Sequence, residues 1–208
     1  MKPASEFSER AAVPSAPDGA SAVGHVTFIF GCMFSGKTTE LLRRVRERPA
    51  DEVLAVKHAC DIRYTRSQIV SHDGLAVEAV VVGRAREIPE RLQPATTLLA
   101  VDEAHFFDEE LVDVVLQATA RGIDVVLTGL DPDSWGRPFP VCESLMAIAR
   151  TSIARHARCG RCGREADRTQ RLTHVVGGDM LVGPEHYEPR CRECWRPPIL
   201  ATSPGRRS

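Results

Sequence analysis

A chain of 208 residues with 43% hydrophobic content carries enough apolar material for a packed core, as one domain of ordinary size or one domain with a small appendage. Its 27 basic residues meet 28 acidic ones, for a formal net charge of −1, a balance that argues against gripping a nucleic-acid backbone. No stretch reaches the roughly 18–20 consecutive apolar residues of a membrane span.

Residues 1–22 are Ala/Ser/Pro-rich, lack the apolar run of a signal peptide, and are expected to form a disordered extension. The tail 197–208 reads the same way. Residues 26–30 (VTFIF) form a short β-branched and aromatic run ending at a glycine, which predicts a buried strand. From Lys37 the segment TTELLRRVRE predicts a helix with Leu41, Leu42 and Val45 on one face and Glu40 paired to Arg44 four residues on. Residues 53–57 predict a second strand, 76–82 a third and 98–101 a fourth. Asp108 is the expected N-cap of a helix whose apolar face is Leu111, Val112, Val115 and Leu116, with Gly122 as its stop. Residues 123–127 predict another buried strand. Strands alternating with helices up to residue 150 imply a parallel α/β sheet covered by helices. Beyond residue 150 the pattern breaks into short, cysteine-punctuated segments, read as a smaller lobe over 151–196.

Between the first strand and helix lies Gly31-Cys32-Met33-Phe34-Ser35-Gly36-Lys37-Thr38, which fits G-x-x-x-x-G-K-[ST] in the required strand-loop-helix context. The glycines let backbone N–H groups wrap a phosphate at the helix N-terminus. Lys37, one of three lysines in a chain that otherwise writes positive charge as arginine, supplies a compact ammonium that arginine's planar fork does not replace. Thr38 offers a hydroxyl to magnesium, and Asp102, at the end of the fourth strand, is the acid expected on the same metal. Glu103, next to it, is placed to take a proton from an attacking oxygen. The letters DEAH also occur in helicases, but those need two tandem nucleotide-binding lobes and this chain has room for one.

Seven cysteines are present. With no export signal a reducing compartment is expected, so disulfides are the weaker explanation. Cys159-x-x-Cys162 and Cys191-x-x-Cys194 are two thiolate knuckles suited to a closed tetrahedral zinc site, with a redox pair as the alternative. Cys32, Cys60 and Cys142 lack spacing partners and read as small buried apolar residues.

Several stretches together resemble the cellular, zinc-bearing type of thymidine kinase: GCMFSGKTTELLRR, DIRY at 61–64, SHDG at 71–74, DEAHFF, GLDPDSWGRPF at 129–139, CGRC, RTQRL at 168–172 and YEPRCREC at 187–194. The match spans about residues 24–195. The resemblance implies transfer of the ATP γ-phosphoryl group to the 5′-hydroxyl of deoxythymidine, with ATP, magnesium and a structural zinc. It implies Glu103 as general base, Arg63 as a charge-stabilising arginine and Asp61 as an acid near the sugar and metal. Met33, Phe106, Leu130, Phe139, Thr169 and Tyr187 match nucleoside-pocket positions. The family's lasso loop would fall at 181–187, including Val182 and Gly183, although Gly177 and Gly178 also offer an alignment. A RecA-like phosphate-loop domain over 23–150, a zinc-ribbon-like lobe, a homotetramer and a cytoplasmic location are implied as well, with no nucleic-acid or membrane partner. This chain departs from the family at Cys32 (usually proline), His105 (usually glutamine), and Ser134 and Trp135. A kinase of another small molecule, and a nucleotide switch with a zinc docking module, are the rival readings.

Overall fold

The computed structural model describes residues 23–61, 67–173 and 183–198. The readings made of the two ends at 1–22 and 199–208, and of Arg63 and Val182, lie outside the described residues. Strand β1 (Val26–Gly31) leads into α1 (Lys37–Val45), then β2 (Val53–His58), a hairpin of β3 (Gln68–Val70) and β4 (Ala76–Glu78), and β5 (Val80–Val82). There follow β6 (Leu98–Asp102), α2 (Glu110–Ala120), β7 (Asp124–Leu130), α3 (Pro140–Ile148) and β8 (Thr151–Arg155). The main sheet has six strands in the order β5-β2-β6-β7-β1-β8, and its pairings are all parallel. This is the α/β, parallel-sheet architecture expected from the alternation of elements.

Both faces of the sheet are buried, as all-parallel sheets require. Successive side chains alternate between two cores. Phe28, Leu99, Val101, Val125 and Leu127 pack on one side with Leu111, Val115 and Leu145 from α2 and α3. Ile29, Leu98, Ala100 and Val126 pack on the other with Leu41, Leu42 and Val45 of α1, under Ile69 of the hairpin. The predicted Glu40–Arg44 pair is present at 2.9 Å. Arg43 bonds Glu40 as well, and the hydrogen bonds from Arg43 and Arg44 hold its carboxyl below the usual range.

Four expectations are corrected. The stretch 76–82 is two strands: Val77 turns into the α1-side core with β3, the Ala79 N–H bonds the Ser67 carbonyl, and only β5 joins the main sheet. In α2 the inward face includes Val114 and Ala118, while Leu116 is 47% exposed, because the helix is rotated relative to the predicted stripe. Helix α2 begins at Glu110, although the Asp108 carboxylate still accepts the Glu110 N–H at 3.2 Å. Finally, β8 pairs with β1, so the sheet runs five residues past the expected boundary at 150. A mostly exposed sequence (TSIAR) with Ile153 as its one large apolar residue gives an edge strand no strong apolar signature.

Beyond β8, β9 (Ala157–Arg158) pairs with β10 (Glu165–Ala166), and β11 (Arg168–Arg171) pairs antiparallel with β12 (Tyr187–Arg190). These two ribbons frame the cysteine knuckles. Cys32 and Cys142 are buried as expected, but Cys60 is exposed. Among the described residues no helix is long and apolar enough to cross a membrane.

Candidate active site

The phosphate loop sits where the carboxyl end of β1 turns into α1, the position at which open α/β sheets bind ligands. Gly31 has φ 147°, and a Cβ there would lie 2.1 Å from the Arg155 carbonyl oxygen, so neither the conformation nor the space admits a side chain. Gly36, at φ 79°, is the N-cap of α1. Lys37 is 5% exposed and donates from Nζ to the Cys32 carbonyl at 2.8 Å, curling over its own loop. The buried Ser35 hydroxyl has no hydrogen-bond partner among the described residues. An orphaned hydroxyl inside a glycine-rich cradle at a helix N-terminus fits a bound phosphate group.

The acids meet this loop from β6, two strands away. Asp102 accepts from Thr38 Oγ1 at 3.2 Å and from Thr128 Oγ1 at 2.6 Å. A hydroxyl and a carboxylate brought together beside a phosphate cradle are the hard oxygen donors that magnesium takes. Glu103 is 5% exposed, with φ 51° and ψ 53°. That left-handed conformation costs a residue with a Cβ about 1–2 kcal/mol, and such strain is characteristic of sites where a side chain must be aimed. Its N–H donates to Thr128 Oγ1 at 2.9 Å, and its Oε2 lies 3.3 Å from His105 Nδ1. Glu103, Met33, Phe34, Lys37, Thr38 and Pro184 line one open cleft. Beside it the Thr39 hydroxyl bonds Asp73 of the SHDG stretch at 3.0 Å.

The residues matched to a nucleoside pocket fall into two groups. Thr169, 2% exposed, accepts the Met33 N–H at 3.1 Å. Thr169 and Tyr187 share a face of the β11–β12 ribbon, since Arg171, two residues after Thr169, is directly opposite Tyr187. Burial raises the Tyr187 phenol above its ordinary range, against the opposing charge of Arg171. In the second group, the His105 ring contacts Phe106 at 4.4 Å and Phe139 at 5.0 Å, and its Nδ1 accepts the Leu130 N–H at 3.3 Å. Asp61 lies three residues beyond the end of β2, its carboxylate 3.3 Å from the buried Lys57 ammonium. Trp135, one of the departures, lies under the Arg137 guanidinium at 5.6 Å.

Three features of the site lie outside the sequence motifs: Thr128, Lys57 and the contact of His105 with Glu103. Thr128 had a legible signal, a hydroxyl interrupting the apolar run of β7. Lys57 had a weaker one, a lysine in an otherwise apolar buried strand.

The four sulfurs of Cys159, Cys162, Cys191 and Cys194 lie within 4.8 Å of one another, with Cys162 and Cys191 at 3.7 Å. A tetrahedral zinc with Zn–S bonds of about 2.3 Å sets sulfurs about 3.8 Å apart. The donor set and its spacing therefore suit zinc. Both knuckles turn on equivalent backbone bonds, Gly163 N–H to Cys159 O and Trp195 N–H to Cys191 O, each 2.9 Å. Arg164 donates to Cys162 Sγ, which holds that thiol below its ordinary range and favours the thiolate a metal needs.

The model of the family described as thymidine kinase matches residues 24–195. A relative described as "Thymidine kinase", from Rhodothermus sp. (strain ITI 518), is 40% identical over 178 residues, covering 85% of this chain and 83% of that protein.

Proposed function

The chain belongs to the thymidine kinase family and transfers the γ-phosphoryl group of ATP to the 5′-hydroxyl of deoxythymidine, and we propose that it does so with Lys37, Asp102 and Glu103 as its central groups. The observation that carries this reading is the convergence on one cleft of a phosphate cradle and a buried, strained glutamate. Lys37 leaves the Cys32 carbonyl and neutralises the outer phosphates. Thr38 and Asp102 hold magnesium, which when bound screens the charge on the phosphates. Glu103 accepts the proton of the 5′-hydroxyl as that oxygen bonds to the γ-phosphorus. The bond from phosphorus to the β–γ bridging oxygen breaks, and ADP leaves with the electron pair. Arg63 is assigned charge stabilisation by the resemblance, and Asp61 a place near the sugar.

Thymine packs, in this reading, against Met33, Phe106, Leu130, Phe139, Thr169 and Tyr187, under a lasso loop that includes Val182 and Gly183. The zinc lobe anchors that loop. A homotetramer and a cytoplasmic location follow from the family reading. Incubation with γ-labelled ATP and deoxythymidine tests the transfer: label is expected in thymidine 5′-monophosphate, and label recovered only as free phosphate would refute it.

Purified protein is expected to carry one zinc per chain, and Cys191→Ser to release it. Losing one ligand loosens the lobe that tethers the loop, so the Michaelis constant for deoxythymidine is expected to rise more than that for ATP. Metal analysis with kinetics on both substrates checks this, and full activity in zinc-free protein would refute it.

Thr169 and Met33 are proposed to form the wall beside the 5-methyl group of thymine. Packing against one methyl supplies only about 1–3 kcal/mol, so deoxyuridine is expected to be about 10–200-fold poorer than deoxythymidine. Thr169→Ser keeps the hydroxyl and removes a methyl, and is expected to narrow that gap in a competition of the two nucleosides. An unchanged ratio would place methyl recognition elsewhere.

A further inference from the structure

Strand β7 carries Val125, Val126 and Leu127 through the core and then places Thr128 at zero exposure. A β-branched valine would suit that strand position equally well, so strand formation does not account for the hydroxyl. Thr119, also buried, spends its hydroxyl on carbonyls of its own helix, those of Val115 and Leu116. Thr128 instead reaches across to β6. Its single proton goes to Asp102 Oδ1 at 2.6 Å, and its oxygen accepts the Glu103 N–H at 2.9 Å. A backbone N–H only donates and a hydroxyl has one proton to give, so the direction of both bonds is fixed. The residue whose N–H is held is the one with φ 51°, and the carboxylate held is the one that also meets Thr38.

We propose that Thr128 is a positioning residue for phosphoryl transfer, tying the metal-side carboxylate of Asp102 to the backbone of Glu103 so that the base stays aimed into the cleft. The inference rests on the roles proposed above for Asp102 and Glu103. Thr128 has zero exposure, so its loss acts on turnover through Glu103 and Asp102 rather than by contact with substrate, and leaves substrate affinity largely intact.

The test compares Thr128→Val, Thr128→Ser, Glu103→Gln and the double variant Thr128→Val/Glu103→Gln in the full chain, with kcat and KM measured for deoxythymidine and for ATP. Thr128→Val is expected to lower kcat by about 10–100-fold, the size of a lost hydrogen bond to a charged group, with both KM values within about threefold of wild type. Thr128→Ser restores most of the loss. In the Glu103→Gln background, where the base is already gone, Thr128→Val costs clearly less than in wild type, because the part of its effect that passes through Glu103 has been removed and only the part through Asp102 is left. Wild-type kcat in Thr128→Val, or losses that multiply in the double variant, would overturn the inference. If Thr128→Val does not fold, Thr128→Ala carries the same comparison and the same outcomes. Full turnover in Glu103→Gln alone would instead refute the reading of the site itself, so the two failures are told apart.

Discussion

Glu103→Gln is expected to lower kcat by about 10²–10⁴-fold, the range that general-base catalysis contributes. The substitution keeps the volume of the side chain and its capacity to hydrogen-bond near His105 Nδ1, but the amide cannot take the proton from the 5′-hydroxyl. The Glu103 N–H to Thr128 bond is a backbone contact and survives. The phosphate loop is untouched, so the affinity for ATP holds. Steady-state kinetics and a separate nucleotide-binding titration read the two quantities independently. Near-normal kcat would remove Glu103 from the role, and a parallel loss of ATP binding would mark it as structural.

Lys37→Met is the second large effect. The variant keeps most of the aliphatic stem, which is buried at 5% exposure, and removes the ammonium. Losing one preorganised electrostatic contact to developing charge costs about 10²–10³-fold in kcat. Here ATP affinity falls as well, because the same charge meets the ground-state phosphates. That pairing of losses separates Lys37 from Glu103. Lys37→Arg is not expected to rescue it, since a planar fork does not occupy the place where Nζ now meets the Cys32 carbonyl at 2.8 Å.

These two residues were legible in the sequence because their chemistry is tied to local spacing. The glycines, the lysine and the threonine of 31–38 sit within one turn, and Asp102 and Glu103 follow an apolar strand directly. The cysteine knuckles were legible for the same reason: C-x-x-C places two sulfurs on one tight turn whatever surrounds it. What the sequence did not disclose depends on contacts between distant segments. Thr128 meets Asp102 only because β7 lies beside β6 in the sheet, an order no local pattern encodes. Thr169 meets Met33 across 136 residues, and that position was identified by resemblance alone. The edge strand β8 was missed because an edge need not be apolar, and α3 because its first turn follows a run of turn-forming residues. The split of 76–82 was hidden because the stretch AVEAVVV is apolar apart from Glu78 and carries no turn residue, while the break comes from a backbone bond to Ser67.

His105 shows how a departure from a family's usual residue gains meaning from geometry. Its ring touches Phe106 and Phe139, and its Nδ1 stands between the Leu130 N–H and the Glu103 carboxylate. It thus links the wall assigned to thymine with the proposed base. Trp135 lies against Arg137 on a turn closed by Asp133, which accepts the N–H groups of both residues at 2.8 Å.

The most direct measurement is ADP formation from Mg-ATP across a panel of nucleosides, with no other acceptor present. Deoxythymidine is expected to give the highest kcat/KM, with deoxyuridine about 10–200-fold lower. Deoxycytidine is expected to be far poorer still, because its exocyclic amine reverses the donor and acceptor pattern and leaves buried polar atoms unpaired. ATP consumption that no nucleoside stimulates, or that another nucleoside stimulates better than deoxythymidine, would contradict the account.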